Sequence, residues 1–230
     1  MSLKDARWWL SRICRLSKEE IIIGVPVLIL GASGSGKSAS LRNFTPDEVG
    51  IFNVASKPLP FRKAMKLVNG NSYERIKEGL SKNKLKAYVI DDAQYLMAFE
   101  QIARAKEVGF QKYTDIGLHF TDLVQHVVLA TSPDTLVYFL HHVEHSDDGR
   151  VKAKTVGKLI DNWLTLEGMF SIVLLAETDG KQHWFTTQSD GFTTAKSPMD
   201  MFPARIDNDL KAVDMAIREY WFGGEDNGTN

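Results

Sequence analysis

Two hydrophobic periods take turns along this chain. The run "EIIIGVPVLIL", Glu20 to Leu30, is almost continuously apolar, as expected of a strand buried on both faces. After Lys37 the apolar positions take up the spacing of an amphipathic helix. "GIFNVASKPLPFRK" reads as a strand ended by Pro58 and Pro60, and the polar stretch from Asn71 to Asn83 reads as helix. "KAYVIDDAQYLM" is an apolar strand running into two aspartates. From Gln94 to Ala130 the pattern is helical with a break near "VGFQKYTD", where Asp115 is the expected cap of a helix carrying Leu123, Val127 and Ala130. "SPDTLVYFLHHVEH" opens with a turn and becomes a strand over Leu136 to His142. Two further strands are predicted in "GMFSIVLLAETDGKQHWFTTQSDG", joined by a hairpin at "TDGK". A closing helix in "IDNDLKAVDMAIREYWF", capped by Asp209, precedes a tail, "GGEDNGTN", expected to be disordered. Strands alternating with helices predict an α/β fold: a mostly parallel sheet, helices on both faces, and an antiparallel extension near the C-terminus.

The first twenty residues interleave Trp8, Trp9, Leu10, Ile13 and Leu16 with Lys and Arg. They read as a short amphipathic helix packed on the domain edge, or as a helix for a membrane surface or a partner. Composition narrows the rest. The 230 residues, 43% hydrophobic and 25% charged, are enough for one sizeable core. A formal charge of -1 leaves no overall field for nucleic acid, so such affinity must come from a local patch. The single cysteine, Cys14, cannot form an internal disulfide, no N-terminal secretion pattern is present, and "IIIGVPVLIL" is too short for a membrane span. The expectation is a cytoplasmic protein without membrane contact.

The turn after the first strand carries the most specific chemistry. Gly31-Ala32-Ser33-Gly34-Ser35-Gly36-Lys37-Ser38 matches G-x-x-x-x-G-K-[ST]. In that loop glycines let successive backbone N–H groups face one anion, a helix start adds its dipole, the lysine reaches the outer phosphates and the serine ligates Mg²⁺. The expected ligand is therefore a nucleoside triphosphate with Mg²⁺, held by Gly31 to Ala39. Asp91, at the end of "AYVID", is placed to hold the metal shell together with Ser38. Asp92 either polarises the attacking water or caps the helix that follows.

Five of the six histidines, His119, His126, His141, His142 and His145, fall within one stretch. On a strand, "HHVEH" points His142 and Glu144 to one face and His141 and His145 to the other, which disfavours a zinc site. His142 and Glu144 are instead candidate sensors of the γ-phosphate or its attacking water, the alternative being ordinary polar side chains at a strand end. Between Lys57 and Lys86 lie nine Lys or Arg residues against two acids, Glu74 and Glu78, and "RVKAKTVGK" carries Arg150, Lys152, Lys154 and Lys158 with none. Such runs are usually solvated surface. Facing phosphates, Lys154 or Lys158 would reach a nucleotide on a neighbouring subunit, or either run would bind a nucleic-acid backbone.

The order of the phosphate loop, "YVIDD", "VYFLHHVE", "KAKTVGK" and "FTTQSDGFTTAKSPMDMF" resembles the phage-encoded RecA-like P-loop ATPases grouped with single-strand annealing and recombination functions. The resemblance runs from about Ile22 to Tyr220 and implies a RecA-like ATPase domain over residues 21–222, between an N-terminal segment (1–20) and a tail (223–230). It implies ATP hydrolysis between adjoining subunits of a ring or filament, acting on single-stranded DNA. By position, Lys37 and Ser38 bind nucleotide, Asp91 holds magnesium, His142 takes the sensor position and Lys154 sits near the interface. Such enzymes often carry a catalytic Glu after the second strand; "NVASKPLPF" has none. Two other readings stand beside this one: a nucleotide-gated accessory module such as a helicase loader or packaging partner, and a small-molecule kinase, for which the chain lacks an arginine-rich lid.

Overall fold

The computed structural model describes residues 24–146, 148–156 and 165–223. The N-terminal Trp8-Trp9 segment, Lys158 and the tail from residue 224 lie outside the described residues. Nine strands are found among those described: β1 (Val25–Gly31), β2 (Val49–Asn53), β3 (Leu67–Asn69), β4 (Ala87–Asp91), β5 (Leu136–His145), β6 (Val151–Ala153), β7 (Ile172–Thr178), β8 (His183–Thr186) and β9 (Arg205–Asp207). Four α-helices accompany them: α1 (Tyr73–Ser81), α2 (Gln94–Ala103), α3 (Gln111–Ala130) and α4 (Leu210–Phe222).

The sheet runs β3-β2-β4-β5-β1-β7-β8-β9, with β6 paired to β5. Every pairing from β3 to β7 is parallel. The β7-β8 and β8-β9 pairings are antiparallel, so the predicted C-terminal extension is present. Alternate residues of the buried strands feed two cores. Leu28, Leu30, Val137 and Phe139 pack against α1, α2 and α3 on one face. Val27, Ile29, Leu136, Tyr138 and Leu140 pack against the segment after the phosphate loop and α4 on the other. This is the period-two pattern of strands covered on both sides, and the reason their sequence reads as unbroken apolar runs.

Two local expectations are corrected. The segment after Lys37 is a 3₁₀ turn of six residues, Ser38–Asn43, and not an amphipathic α-helix. Ser40 Oγ donates back to the Lys37 carbonyl (2.6 Å), and Pro46 disfavours helical backbone at Thr45, so the element closes early. Asp115 does not cap a helix: α3 begins four residues earlier, and Asp115 accepts from Gln111 and Arg104 within it. The three-residue β3 carries no readable period and was not foreseen. By contrast Asp209 caps α4 as expected, accepting from the N–H groups of Lys211 and Ala212, and Ser72 caps α1.

From β1 the chain crosses toward β2, on one side; after β5 it crosses β1 to reach β7, on the other. The crevice at the carboxyl ends of β1 and β5 lies between these opposed connections, the usual place for a ligand in an open α/β sheet.

Candidate functional site

The carboxyl edge of the sheet holds a cleft of about 330 Å³. It is lined by Ser33, Gly34, Gly36, Lys37, Ser38 and Ala39 of the phosphate loop, by Lys57 and Pro60 from beyond β2, by Asp92 after β4, by His142 of β5 and by His183 at the start of β8. Gly31, Ala32 and Ser35 of the same loop are not among the lining residues.

Backbone geometry explains the glycines that matter most. Gly36 has φ +97°, and a Cβ there would come within 2.9 Å of His183 Nδ1 and 3.2 Å of the Asn208 amide. At Gly31 a Cβ would meet Ser35 Oγ at 2.3 Å and the Ala176 carbonyl at 2.9 Å, because β7 packs directly against the loop's root. A side chain at either position would break the turn.

Within the loop, Lys37 is buried and its ammonium donates to the carbonyls of Gly31 (2.7 Å) and Ala32 (2.9 Å). Burial pulls its pKa down to about 8, against the attraction of Asp92 and Asp91. Ser38 Oγ donates to Asp91 Oδ1 at 2.7 Å, joining two residues 53 positions apart in sequence. Burial pushes the Asp91 carboxyl above its ordinary range despite that hydrogen bond. Burial disfavours the charged form of a carboxylate, so a neighbouring cation would stabilise it, and the Ser38 hydroxyl completes an oxygen pair of the kind Mg²⁺ takes. Ser35 Oγ is buried with no partner among the described residues, as is Asn208 Nδ2 beside Gly36. Such orphaned polar groups beside a glycine loop fit a site that completes its hydrogen bonds with a polyanion. The residues therefore fit a Mg-nucleotide.

Asp92 answers the question left open by the sequence. It sits at φ +59°, Oδ1 accepts from His142 Nε2 (3.2 Å) and Oδ2 accepts from Lys57 Nζ (2.6 Å). The position preceding α2 is Ala93, which makes no side-chain cap, so Asp92 serves the cleft and not the helix. Burial pushes its pKa up, but the hydrogen bonds from His142 and Lys57 and the Lys57 charge outweigh it and hold the carboxyl below its ordinary range. Two adjacent aspartates thus have pKa values driven in opposite directions, a pattern typical of functional sites. A positive φ on a non-glycine residue costs of order 1–3 kcal/mol and survives only where its surroundings impose it.

The sensor candidates separate. His142 enters the cleft, edge-on to Tyr95. Glu144 does not: β5 continues past the predicted end at His142 to His145, and Glu144 pairs across to Lys152 of β6 at 2.9 Å. Lys154 also stands outside the cleft lining; its N–H donates to the His142 carbonyl, its carbonyl accepts from His141 Nε2, and its side chain is exposed. Among the described residues no three His, Cys, Asp or Glu side chains gather in a way that could hold a metal ion by themselves. His141, one residue from His142, is fully buried against Phe120.

Two cleft residues were not singled out from the sequence. The sequence shows Lys57 only as the start of a basic run and gives no signal for His183, whose Nδ1 donates to the Ser35 carbonyl (3.1 Å). The hairpin that delivers His183 was legible; the sheet order that sets it beside the loop was not. Among the described residues no helix is long and apolar enough to cross a membrane. No protein-family model matches this chain, and neither does any curated protein.

Proposed function

We propose that this chain is a Mg²⁺-dependent ATPase with a RecA-like core, acting on single-stranded DNA in phage recombination or replication. The observation that carries the nucleotide part is the pairing of Ser38 with Asp91 at 2.7 Å, beside a phosphate loop whose lysine is already turned inward. Bound Mg²⁺ would neutralise charge on the outer phosphate oxygens. Ser38 and Asp91 are the residues to hold it, and Lys37, released from the two loop carbonyls, is the cation for the phosphates. Asp92, hydrogen-bonded to His142, is the carboxylate in position to orient a water at the open side of the cleft. β5 lies between β1 and β4 and His142 lines the cleft, which supports reading it as the sensor.

The DNA part rests on the family resemblance and on the basic run after β2, of which Lys57 reaches the cleft. An assembly of copies, with Lys154 or Lys158 approaching a neighbour's nucleotide, belongs to the same reading; the exposure of the Lys154 side chain supports it. One observation favours the accessory-module reading instead. The segment after β2 carries a lysine that neutralises Asp92, where a carboxylate would have aided hydrolysis.

Steady-state ATP hydrolysis with and without single-stranded DNA, using Lys37→Ala as the blank, tests the proposal. Stimulation by DNA is the expected result. Turnover that ignores DNA, with nucleotide binding intact, would move the assignment to the accessory module; no nucleotide binding at all would overturn it.

A further inference from the structure

Lys57 has no part in the phosphate-loop motif, yet the fold builds its position with care. Asn53, buried at the end of β2, donates from Nδ2 to the Lys57 carbonyl (2.7 Å). The Asn53 carbonyl accepts from Ser56 N and from Gly70 N, both at 3.2 Å, and Ser56 takes φ +54° to turn the chain. Both ends of the ion pair thus adjoin left-handed non-glycine backbone, at Ser56 beside Lys57 and at Asp92 itself. The backbone of Lys57 is anchored while its side chain is not: 59% of it is exposed. Its ammonium rests on Asp92 Oδ2 and lies 5.4 Å from the centre of the Tyr95 ring.

A long, exposed lysine on a fixed stem can exchange one anion for another at little cost. The loop, Lys37, Ser38 and Asp91 are already assigned to the phosphates and the metal. A terminal phosphate adds negative charge on the side of the cleft bounded by Asp92 and His142, and the lysine standing there is Lys57. We propose that Lys57 distinguishes triphosphate from diphosphate: it leaves Asp92 for the terminal phosphate, and the Asp92 carboxylate is then held by His142 alone. The inference rests on the nucleotide reading above and deepens it, since it makes the Lys57–Asp92 pair a resting state that only the triphosphate opens. Binding of the triphosphate carries the cost of parting that pair, whereas the diphosphate does not.

The test is the affinity of the full chain for a Mg-bound β,γ-imido ATP analogue and for MgADP, by titration calorimetry. Lys57→Ala should weaken the triphosphate analogue about tenfold, the loss of one charge-assisted contact, with MgADP changed by less than about twofold. Lys57→Arg should restore most of the difference. Asp92→Asn should tighten the triphosphate analogue about threefold, because a half-exposed ion pair no longer has to part. MgADP should not tighten with it; an equal rise for both nucleotides would reflect only the loss of a negative charge from the cleft and would overturn the inference. Equal losses for both nucleotides in Lys57→Ala, or no loss for either, would overturn the inference while leaving the nucleotide site standing. Failure of the unsubstituted chain to bind either nucleotide would overturn both. The exposure of Lys57 makes Lys57→Ala a folded protein, which circular dichroism checks.

Discussion

The two edges of the sheet use their charges in opposite ways. At the amino edge, Arg218 of α4 donates to Asp214 and to the carbonyls of Asp134 and Lys86, just ahead of β5 and β4. Asp214 also accepts from the hydroxyl of Tyr138, a fully buried residue of β5, at 2.8 Å. Burial, and the Asp214 charge beside it, push the Tyr138 hydroxyl well above its ordinary pKa, so it stays a neutral donor. Each of these groups has a partner within the fold, while the neighbouring Thr135 Oγ1 is buried with none among the described residues. At the carboxyl edge Lys37 is held only by loop carbonyls, Ser35 Oγ and Asn208 Nδ2 lack partners among the described residues, and Asp92 sits on strained backbone. A saturated network stabilises; an unsaturated one waits for a ligand. The contrast agrees with the motif in marking the carboxyl edge as the candidate site.

Substitutions can break the comparison from either side. Asp214→Ala should be the most damaging, costing about 3 kcal/mol by stranding a buried hydroxyl and a guanidinium at once. Chemical denaturation reads that loss, and nucleotide affinity should hardly move. Lys37→Ala should do the reverse, weakening ATP binding about 100-fold while leaving the melting temperature within a few degrees. If both variants lost stability alike, the division between a structural and a functional edge would fail.

Acid tests a point between the two edges. His141 donates from Nε2 to the Lys154 carbonyl, its Nδ1 has no partner among the described residues, and burial lowers its pKa to about 4. The unfolded chain holds that proton more tightly, so the contribution of the neutral ring is present above about pH 6.5 and is lost as pH falls toward 4. Between pH 6.5 and 4.5 the loss should be about 2 kcal/mol, and His141→Gln should flatten the denaturation series by that amount. The smallest effect concerns Lys37. With its pKa near 8, the unliganded protein loses that positive charge as pH rises further. ATP affinity should fall about tenfold by pH 9 relative to pH 7, and a profile that stays flat would show that Lys37 does not carry the phosphate interaction.

Much of the fold was legible because its signals are local. The buried runs of β1, β4, β5 and β7, the "TDGK" hairpin and the Asp209 cap each depend on neighbours within a few positions, and each is found where expected. The six-residue 3₁₀ turn after Lys37 departs from expectation because Ser40 and Pro46 compete with helical spacing. Residues that act alone at a distance were harder to read. Glu144 shares a strand face with His142, but alternation cannot say that β5 outruns the sheet's edge to pair with β6.

The sequence by itself determined the phosphate loop, the aspartate pair and the alternation of strands and helices, since each follows from spacing along the backbone. Only the tertiary structure decided which side chains meet there. The order β2-β4-β5-β1-β7-β8 brings Lys57, His142 and His183 from separate parts of the chain to one cleft, where burial raises the Asp91 pKa while hydrogen bonds from His142 and Lys57 hold that of Asp92 down. Desolvation and charge pairing are properties of neighbours in space, and no reading along the chain contains them.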